Sequence, residues 1–364
     1  MGINSNLNPK KIIGRLGRKY GGRPFQVVRK FFYDCASLMG QAHEISYLRR
    51  GHYAPSHRDS RFLKKYYPLI EGPELSNNKK LKKAGKIICF CDGRRFHGGP
   101  TDRLRGILTT YREAKKRGIP FFISWSDPFP LEDYLVPASF DWRIPKEDIV
   151  YGSPVSFPVI IEDETDLQSR WRMWASMDLK FPQLHVYSNA DNARGEYREL
   201  FNEVFLPSPL LEKAVQAELE KIGKPYWAFT FRFLNLLGDF REWARKSLSG
   251  RELDEFLNHV TAEFLKLARE VPENHAILVT SDSRKFLDLA KTLDRRIHVV
   301  DGDVKNIDLM KGEYKDAWLK TFVDQQLIMR AERVYLMRTD GMYKSGFPRF
   351  AAEVGGVEFI DHSF

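Results

Sequence analysis

From Lys86 onward, short unbroken apolar runs alternate with longer segments whose apolar residues recur every three to four positions. The unbroken runs predict buried strands at Lys86–Cys91, Phe121–Trp125, Gln183–Ser188, Tyr226–Phe233, His275–Thr280, Ile297–Val300, Arg333–Met337 and Val357–Ile360. The periodic segments predict helices. The first follows Gly98-Gly99, with Thr101 as N-cap, Leu104, Ile107, Leu108 and Tyr111 on one face, and Gly118-Ile-Pro120 as its stop. Others cover Arg194–Phe205, Ser208 to Ile222, Gly250–Glu270, Ser283–Leu293, Tyr314–Arg330 and Phe347–Val354. Strands separated by helices of this length imply parallel βαβ units, and so an α/β fold with its cleft at the strand ends. The pattern divides the chain into an N-terminal extension (1–85), a first lobe (86–222) and a second lobe (223–364), each lobe with its own core. The extension holds only helical fragments, Phe25–Met39 the best of them. No repeats or low-complexity tracts interrupt it.

Composition places the chain among soluble globular proteins, with 43% hydrophobic and 29% charged residues. No apolar stretch approaches the roughly 18 residues of a membrane span. The basic N-terminus lacks an apolar h-region, so no signal peptide is expected. Three cysteines make no disulfide framework and favour a reducing compartment, which points to the cytoplasm.

The net charge of +10 changes meaning once it is located. Residues 1–86 hold 19 Lys and Arg against 5 Asp and Glu; the remainder holds 39 against 43. All the excess therefore precedes the first clear strand. A basic arm of this kind suits a partner with phosphates: the inner face of a membrane, a lipid-linked substrate or nucleic acid. Each basic residue near an anionic leaflet is worth about 1 kcal/mol, enough in sum for reversible peripheral contact. The plainer alternative is a solvated, partly helical extension.

Three strand ends of the second lobe carry groups suited to a phosphate-bearing ligand. Arg232 closes the aromatic strand, where a guanidinium either points into the crevice and forks onto phosphate oxygens or is an ordinary surface arginine at a strand end. Thr280-Ser-Asp-Ser283 stands where a strand turns into a helix, so Ser281, Asp282 and Ser283 either cap that helix or meet a ribose or phosphate. Tyr343-Lys-Ser-Gly-Phe347 repeats the architecture, and Ser345 with its neighbouring N–H groups suits phosphate. Gly98 and Gly99 pare the first-lobe loop down to backbone before a helix N-terminus.

These residues together resemble the fucosyltransferase superfamily. Gly98-Gly-Pro-Thr-Asp-Arg-Leu-Arg-Gly106 is similar to its N-terminal glycine loop, Arg232 to the arginine of a His-x-Arg motif, and Thr280–Ser283 to a strand-end Thr-Asp or Ser-Asp. Asp324 with Ser345-Gly346-Phe347 and Ala351 is similar to an acidic helix followed by Ser-x-Phe and a small-residue helix. The resemblance covers about residues 86–360 in order and is nearest to bacterial proteins of surface-polysaccharide biosynthesis. Two positions depart: Thr230 stands in place of the histidine, and Pro100-Thr101 in place of the loop's third glycine or aromatic.

The resemblance implies a GT-B fold of two Rossmann-like lobes with the cleft between them, GDP-fucose as donor, a glycan or lipid-linked acceptor, inversion at the sugar carbon, and neither metal nor cofactor. It implies that Arg232 binds the β-phosphate and stabilises departing GDP, that Asp324 pairs with guanine, and that Ser345 and Phe347 hold the diphosphate and base side. Two rivals stay open: a transferase using another nucleotide sugar, and a non-catalytic phosphate- or membrane-binding protein on a degenerate transferase scaffold. Nucleic acid is not an expected partner.

Activating a sugar hydroxyl calls for a nearby carboxylate or histidine. Asp102 and Asp239 are the candidates, the alternative for each being a cap or a salt bridge, and His97, read as a solvent-facing loop residue, is next. Because Asp102 at the helix start would oppose phosphate, the glycine loop is expected to face the sugar and acceptor instead. Asp301-Gly-Asp303 and Glu162-Asp-Glu164 with Asp166 read as polar turns rather than metal sites, and Cys89 and Cys91 as core thiols.

Overall fold

The computed structural model describes residues 60–68, 84–95, 97–152, 155–162, 166–240, 247–304 and 315–364. The predicted fragment Phe25–Met39, the lysine run Lys79–Lys83 and most of the acidic turn at 162–166 lie outside them.

Two parallel sheets carry the fold. The first is built from β1 (Lys86–Cys91), β2 (Phe121–Trp125), β4 (Ser156–Ile161) and β5 (Gln183–Ser188), in the order β2-β1-β5-β4. The second holds β7 (Tyr226–Phe231), β8 (Ala276–Ser281), β9 (Ile297–His298), β10 (Arg333–Arg338) and β11 (Glu358–Ser363), in the order β11-β10-β7-β8-β9. Between them β3 (Leu135–Pro137) and β6 (Phe205–Pro207) form a short antiparallel pair. The strands β4, β5 and β8 are buried along their whole length, as parallel strands covered on both faces must be.

The helices are α1 (Ser60–Tyr66), α2 (Pro100–Arg117), α3 (Asp166–Ser176), α4 (Tyr197–Val204), α5 (Pro209–Ile222), α6 (Gly250–Ala268), α7 (Arg284–Ala290), α8 (Lys315–Ile328) and α9 (Phe347–Gly355). Local chemistry sets their ends. Ser208 Oγ accepts the Leu211 N–H at the start of α5, and Gly223 closes it in the left-handed region. Gly99, not Thr101, caps α2: Pro100 takes the first helical position, and the Asp102 carboxylate accepts the Gly99 N–H. Gly106 has no alternative, because a Cβ there would lie 1.9 Å from the Ser188 carbonyl oxygen where α2 crosses β5.

Most predicted elements stand within a few residues of their expected bounds. The aromatic strand ends at Phe231 rather than Phe233, because the Phe233 and Leu234 N–H groups turn to the Asp282 side chain. The pattern did not single out β4, whose Pro158 is tolerated because the strand lies at the sheet edge.

The packing differs from two separate cores. One apolar cluster runs from β1 and β2 through α4 and α5 into α8 and α9. Tyr134 stacks on Phe322 at 4.8 Å, Phe129 meets Trp318 at 5.7 Å, and Phe350 packs against Tyr197 at 5.1 Å. The lobes thus share one core along one side. A second cluster fills the far face of the second sheet under α6 and α7. In the third, Phe62, Leu63 and Tyr67 of the α1 region pack with Phe90 and Tyr187 on the first sheet, so part of the 1–85 extension belongs to this lobe's packing.

Candidate functional site

Where the lobes are not fused, a cavity of about 410 Å³ opens between them. Gly99, Pro100, Thr101, Asp102, Arg105 and Arg194 form the first-lobe wall. The opposite wall comes from the C-terminal ends of β7 and β8, the turn before α9, and one face of α8. This is where ligands bind in parallel α/β sheets.

Arg232 follows β7 directly. Its Nε lies 3.4 Å from Asp282 Oδ2, and its guanidinium stands over the Phe240 ring at 4.7 Å. Asp282 is buried and accepts the Phe233 N–H at 2.8 Å and the Leu234 N–H at 2.7 Å. Leu234 is held at φ +55°, a left-handed conformation that the Asp282 bond helps to fix. Burial pushes the Asp282 carboxyl above its ordinary range, opposed by the Arg232 charge and the backbone N–H groups. Asp282 thereby aims the arginine. Thr230 and Thr280, hydrogen bonded to each other at 2.8 Å, line the cavity beside it.

The N-terminus of α9 opens on the same space. Ser345 Oγ accepts the Phe347 N–H at 3.2 Å, and Ser345, Gly346, Phe347 and Arg349 line the cavity. The start of α2 faces it from the other lobe. Two helix N-termini, with Arg232, Arg105, Arg194, Lys344 and Arg349, favour an anion here, although Arg105, Arg194, Arg232 and Lys344 each already face a carboxylate.

Arg105 reaches across the cleft. It pairs with Asp102 and with Asp191 Oδ2 at 3.0 Å, and its guanidinium lies beside Gly346 of the second lobe. Asp191 also accepts from Arg194 Nε at 2.8 Å and from the Tyr197 hydroxyl at 2.7 Å. Burial would raise the Asp191 carboxyl, but Arg194, Arg105 and Tyr197 together hold it below its ordinary value. At the other end of the cavity, Asp324 and Lys320 are both buried and paired on α8. Burial pushes the Asp324 carboxyl up, with the Lys320 charge opposing.

The residues singled out from sequence divide clearly. Gly99, Asp102, Arg232, Ser281, Asp282, Asp324, Ser345, Gly346 and Phe347 meet around one cavity. Three do not line it. Gly98, at φ +72°, shapes the loop behind Gly99. Ser283 caps α7 by accepting the Phe286 N–H, and donates to Asp239 Oδ2. Asp239 accepts in addition the Lys285 N–H, a second capping contact.

His97 is not solvent-facing but 3% exposed, because its ring is laid parallel to Tyr187 beneath the glycine loop. Asp301 pairs with Lys291, and Cys89 and Cys91 are buried free thiols. Among the described residues no three His, Cys, Asp or Glu side chains converge as metal ligands. No described helix is long and apolar enough to cross a membrane. Sequence reasoning missed Arg105, Asp191, Arg194 and Lys320. Asp191 stands just beyond the end of β5, so the strand-end rule that found Arg232 reaches it too.

No family model matches the sequence, and no curated protein does. Solved structures do match. NodZ alpha-1,6-fucosyltransferase soaked with GDP-fucose superposes with a TM-score of 0.51 at 15% identity, covering 74% of this chain and 92% of that one. The same enzyme co-crystallised with GDP gives 0.51 at 14% identity over 73% and 91%. A structure of fucosyltransferase NodZ from Bradyrhizobium gives 0.50 at 14% over 73% and 92%. The chain has a fucosyltransferase-like fold. At such identities the likeness speaks for the fold, two parallel-sheet lobes with a cavity between them, and the chemistry must come from the site.

Proposed function

We propose that this chain is an inverting, metal-independent glycosyltransferase that moves fucose from GDP-fucose to a glycan or lipid-linked glycan. The observation that carries this reading is Arg232, aimed by a buried carboxylate into a cavity that two helix N-termini also face. A leaving nucleoside diphosphate gathers negative charge as the sugar bond breaks, and preorganised positive groups stabilise that charge where it develops. The acceptor oxygen bonds to the sugar carbon, the bond to the β-phosphate oxygen breaks with its electron pair, and the acceptor proton passes to a base. Both carboxylates weighed from sequence cap a helix, Asp102 at α2 and Asp239 at α7, but only Asp102 lines the cavity. Asp102 is therefore the proposed base, held by Arg105. Two of the named fold neighbours were soaked with GDP-fucose or co-crystallised with GDP, which supports the donor assignment. The basic charge of residues 1–86 supports work beside an anionic membrane surface on the cytoplasmic side.

The test is binding and turnover. GDP and GDP-fucose should raise the melting temperature where UDP and TDP sugars do not. Release of GDP with an acceptor should continue in EDTA. Arg232→Ala should lower turnover by about 10²–10³ in a folded protein, the usual effect of deleting one oxyanion-type donor. Preference for another nucleotide sugar would overturn the donor, and full activity of Arg232→Ala would overturn the mechanism.

A further inference from the structure

Helix α2 carries three threonines, Thr101, Thr109 and Thr110, and all are buried. Two of them find partners for their hydroxyls within the protein. Thr110 Oγ1 donates back to the Gly106 carbonyl at 2.7 Å, as helical threonines commonly do, and Thr109 Oγ1 donates to the Ala190 carbonyl at 3.0 Å. Thr101 stands in the first turn, where no preceding turn of helix offers a carbonyl, and the N-cap role has gone to Gly99. Its Oγ1 is buried, with 6% of the residue exposed, and has no hydrogen-bond partner among the described residues. Of the three, Thr101 alone lines the cavity. A buried hydroxyl left unpaired is destabilising, and a ligand that pairs with it recovers that cost.

Place and charge narrow the choice of partner. Of the two helix N-termini on the cavity, that of α2 is the weaker place for an anion. Pro100 brings no N–H, and the Asp102 carboxylate, one residue from Thr101, already takes the Gly99 N–H at 3.2 Å. A neutral group that both donates and accepts fits better, and a sugar hydroxyl is such a group. Resting on the reading of this cavity as the site of a nucleotide-sugar transferase, we propose that Thr101 Oγ1 binds a ring hydroxyl of the transferred sugar. Inversion puts the acceptor's base and the leaving diphosphate on opposite sides of the sugar carbon, so a sugar held between Asp102 and Arg232 borders Thr101. Thr101 is then a specificity-determining residue. It stands where the loop departs from the one it resembles, so the contact is particular to this chain.

Thr101→Val replaces the hydroxyl by a methyl group of nearly the same shape, and titration calorimetry of the full chain with GDP and GDP-fucose reads the effect. GDP lacks the sugar, so its affinity should be unchanged, whereas GDP-fucose should bind about 3- to 10-fold more weakly, as for loss of one neutral hydrogen bond. Thr101→Ser keeps the hydroxyl and should stay within about 2-fold of wild type for both ligands. The ligand-free Thr101→Val protein should show a urea midpoint no lower than wild type, since no internal hydrogen bond is lost. A lowered midpoint, or failure to fold, overturns the proposal by showing that the hydroxyl serves the fold. GDP-fucose affinity unchanged within about 2-fold overturns it by leaving the hydroxyl to water, and an equal loss for GDP overturns it by assigning the hydroxyl to the diphosphate. Thr101→Ser as weak as Thr101→Val overturns it too, because the hydroxyl would then be irrelevant. If the wild-type chain binds neither ligand, the donor reading falls and the sugar contact with it.

Discussion

Asp282→Asn isolates the device that aims Arg232. The carboxylate satisfies two adjacent backbone amides, those of Phe233 and Leu234, and faces the guanidinium from 3.4 Å. Asparagine keeps one carbonyl oxygen for one amide and turns its NH₂ toward the other. A hydrogen bond to a charged group is worth about 1.5–3 kcal/mol, and a buried donor left facing a donor adds about 1–3 kcal/mol. Against these stands the cost of burying the charge, which already pushes the Asp282 carboxyl upward and which the variant recovers in part. The expected net loss is about 2–4 kcal/mol.

Urea titration followed by tryptophan fluorescence measures it as a lowered midpoint with an unchanged slope. The loop from Phe233 carries φ +55° at Leu234, so its amides should also lose protection from hydrogen exchange first. With Arg232 no longer held, GDP affinity should fall along with stability. A midpoint shift worth less than about 0.5 kcal/mol, with GDP affinity intact, would show that Asp282 neither shapes this loop nor orients the arginine.

Gly106→Ala should destabilise by about 1–3 kcal/mol or more, although alanine is the better helix former, because its Cβ would meet the Ser188 carbonyl oxygen at 1.9 Å; a raised urea midpoint would contradict the close helix–strand crossing. Asp191→Asn tests linkage. The folded carboxyl is held below its ordinary value, so its contribution is complete above the unfolded pKa of about 3.9 and is lost as pH falls through the lower folded value. The stability gap between wild type and variant should be widest near neutral pH and close as the pH drops below about 4; a gap independent of pH would refute the charge-based account.

What could be read from the chain was whatever a single element expresses by itself. An unbroken apolar run becomes a buried parallel strand wherever helices cover both faces, and the C-terminal ends of β7 and β8 gave up Arg232 and Asp282 by position alone. Capping was equally local, so Ser283 could be foreseen as a cap though not that Asp239 would join it. The misreadings arose where a neighbour distant in sequence decides the outcome. His97 looks like a loop histidine until the ring of Tyr187, ninety residues away, lies beneath it. Lys320 sits in a helix with no clear polar face, so no periodicity marks it as anything but a misplaced charge.

The shared core gives these pairings their value. Had the two lobes kept separate cores, a ligand would have to draw them together and order Arg105 against Gly346 at its own entropic expense. Here Tyr134 on Phe322 and Phe350 on Tyr197 lock α8 and α9 to the first lobe, so both walls of the cavity are fixed by the same packing. The helix that carries Lys320 and Asp324 is thus set against the first turn of α2, which carries Asp102, before any ligand arrives. Electrostatic stabilisation of a leaving group is most effective when its donors need no reorganisation at the moment of reaction. If Arg232 acts as proposed, the aromatic contacts between the lobes serve catalysis as much as it does, because they hold still the cavity into which it points.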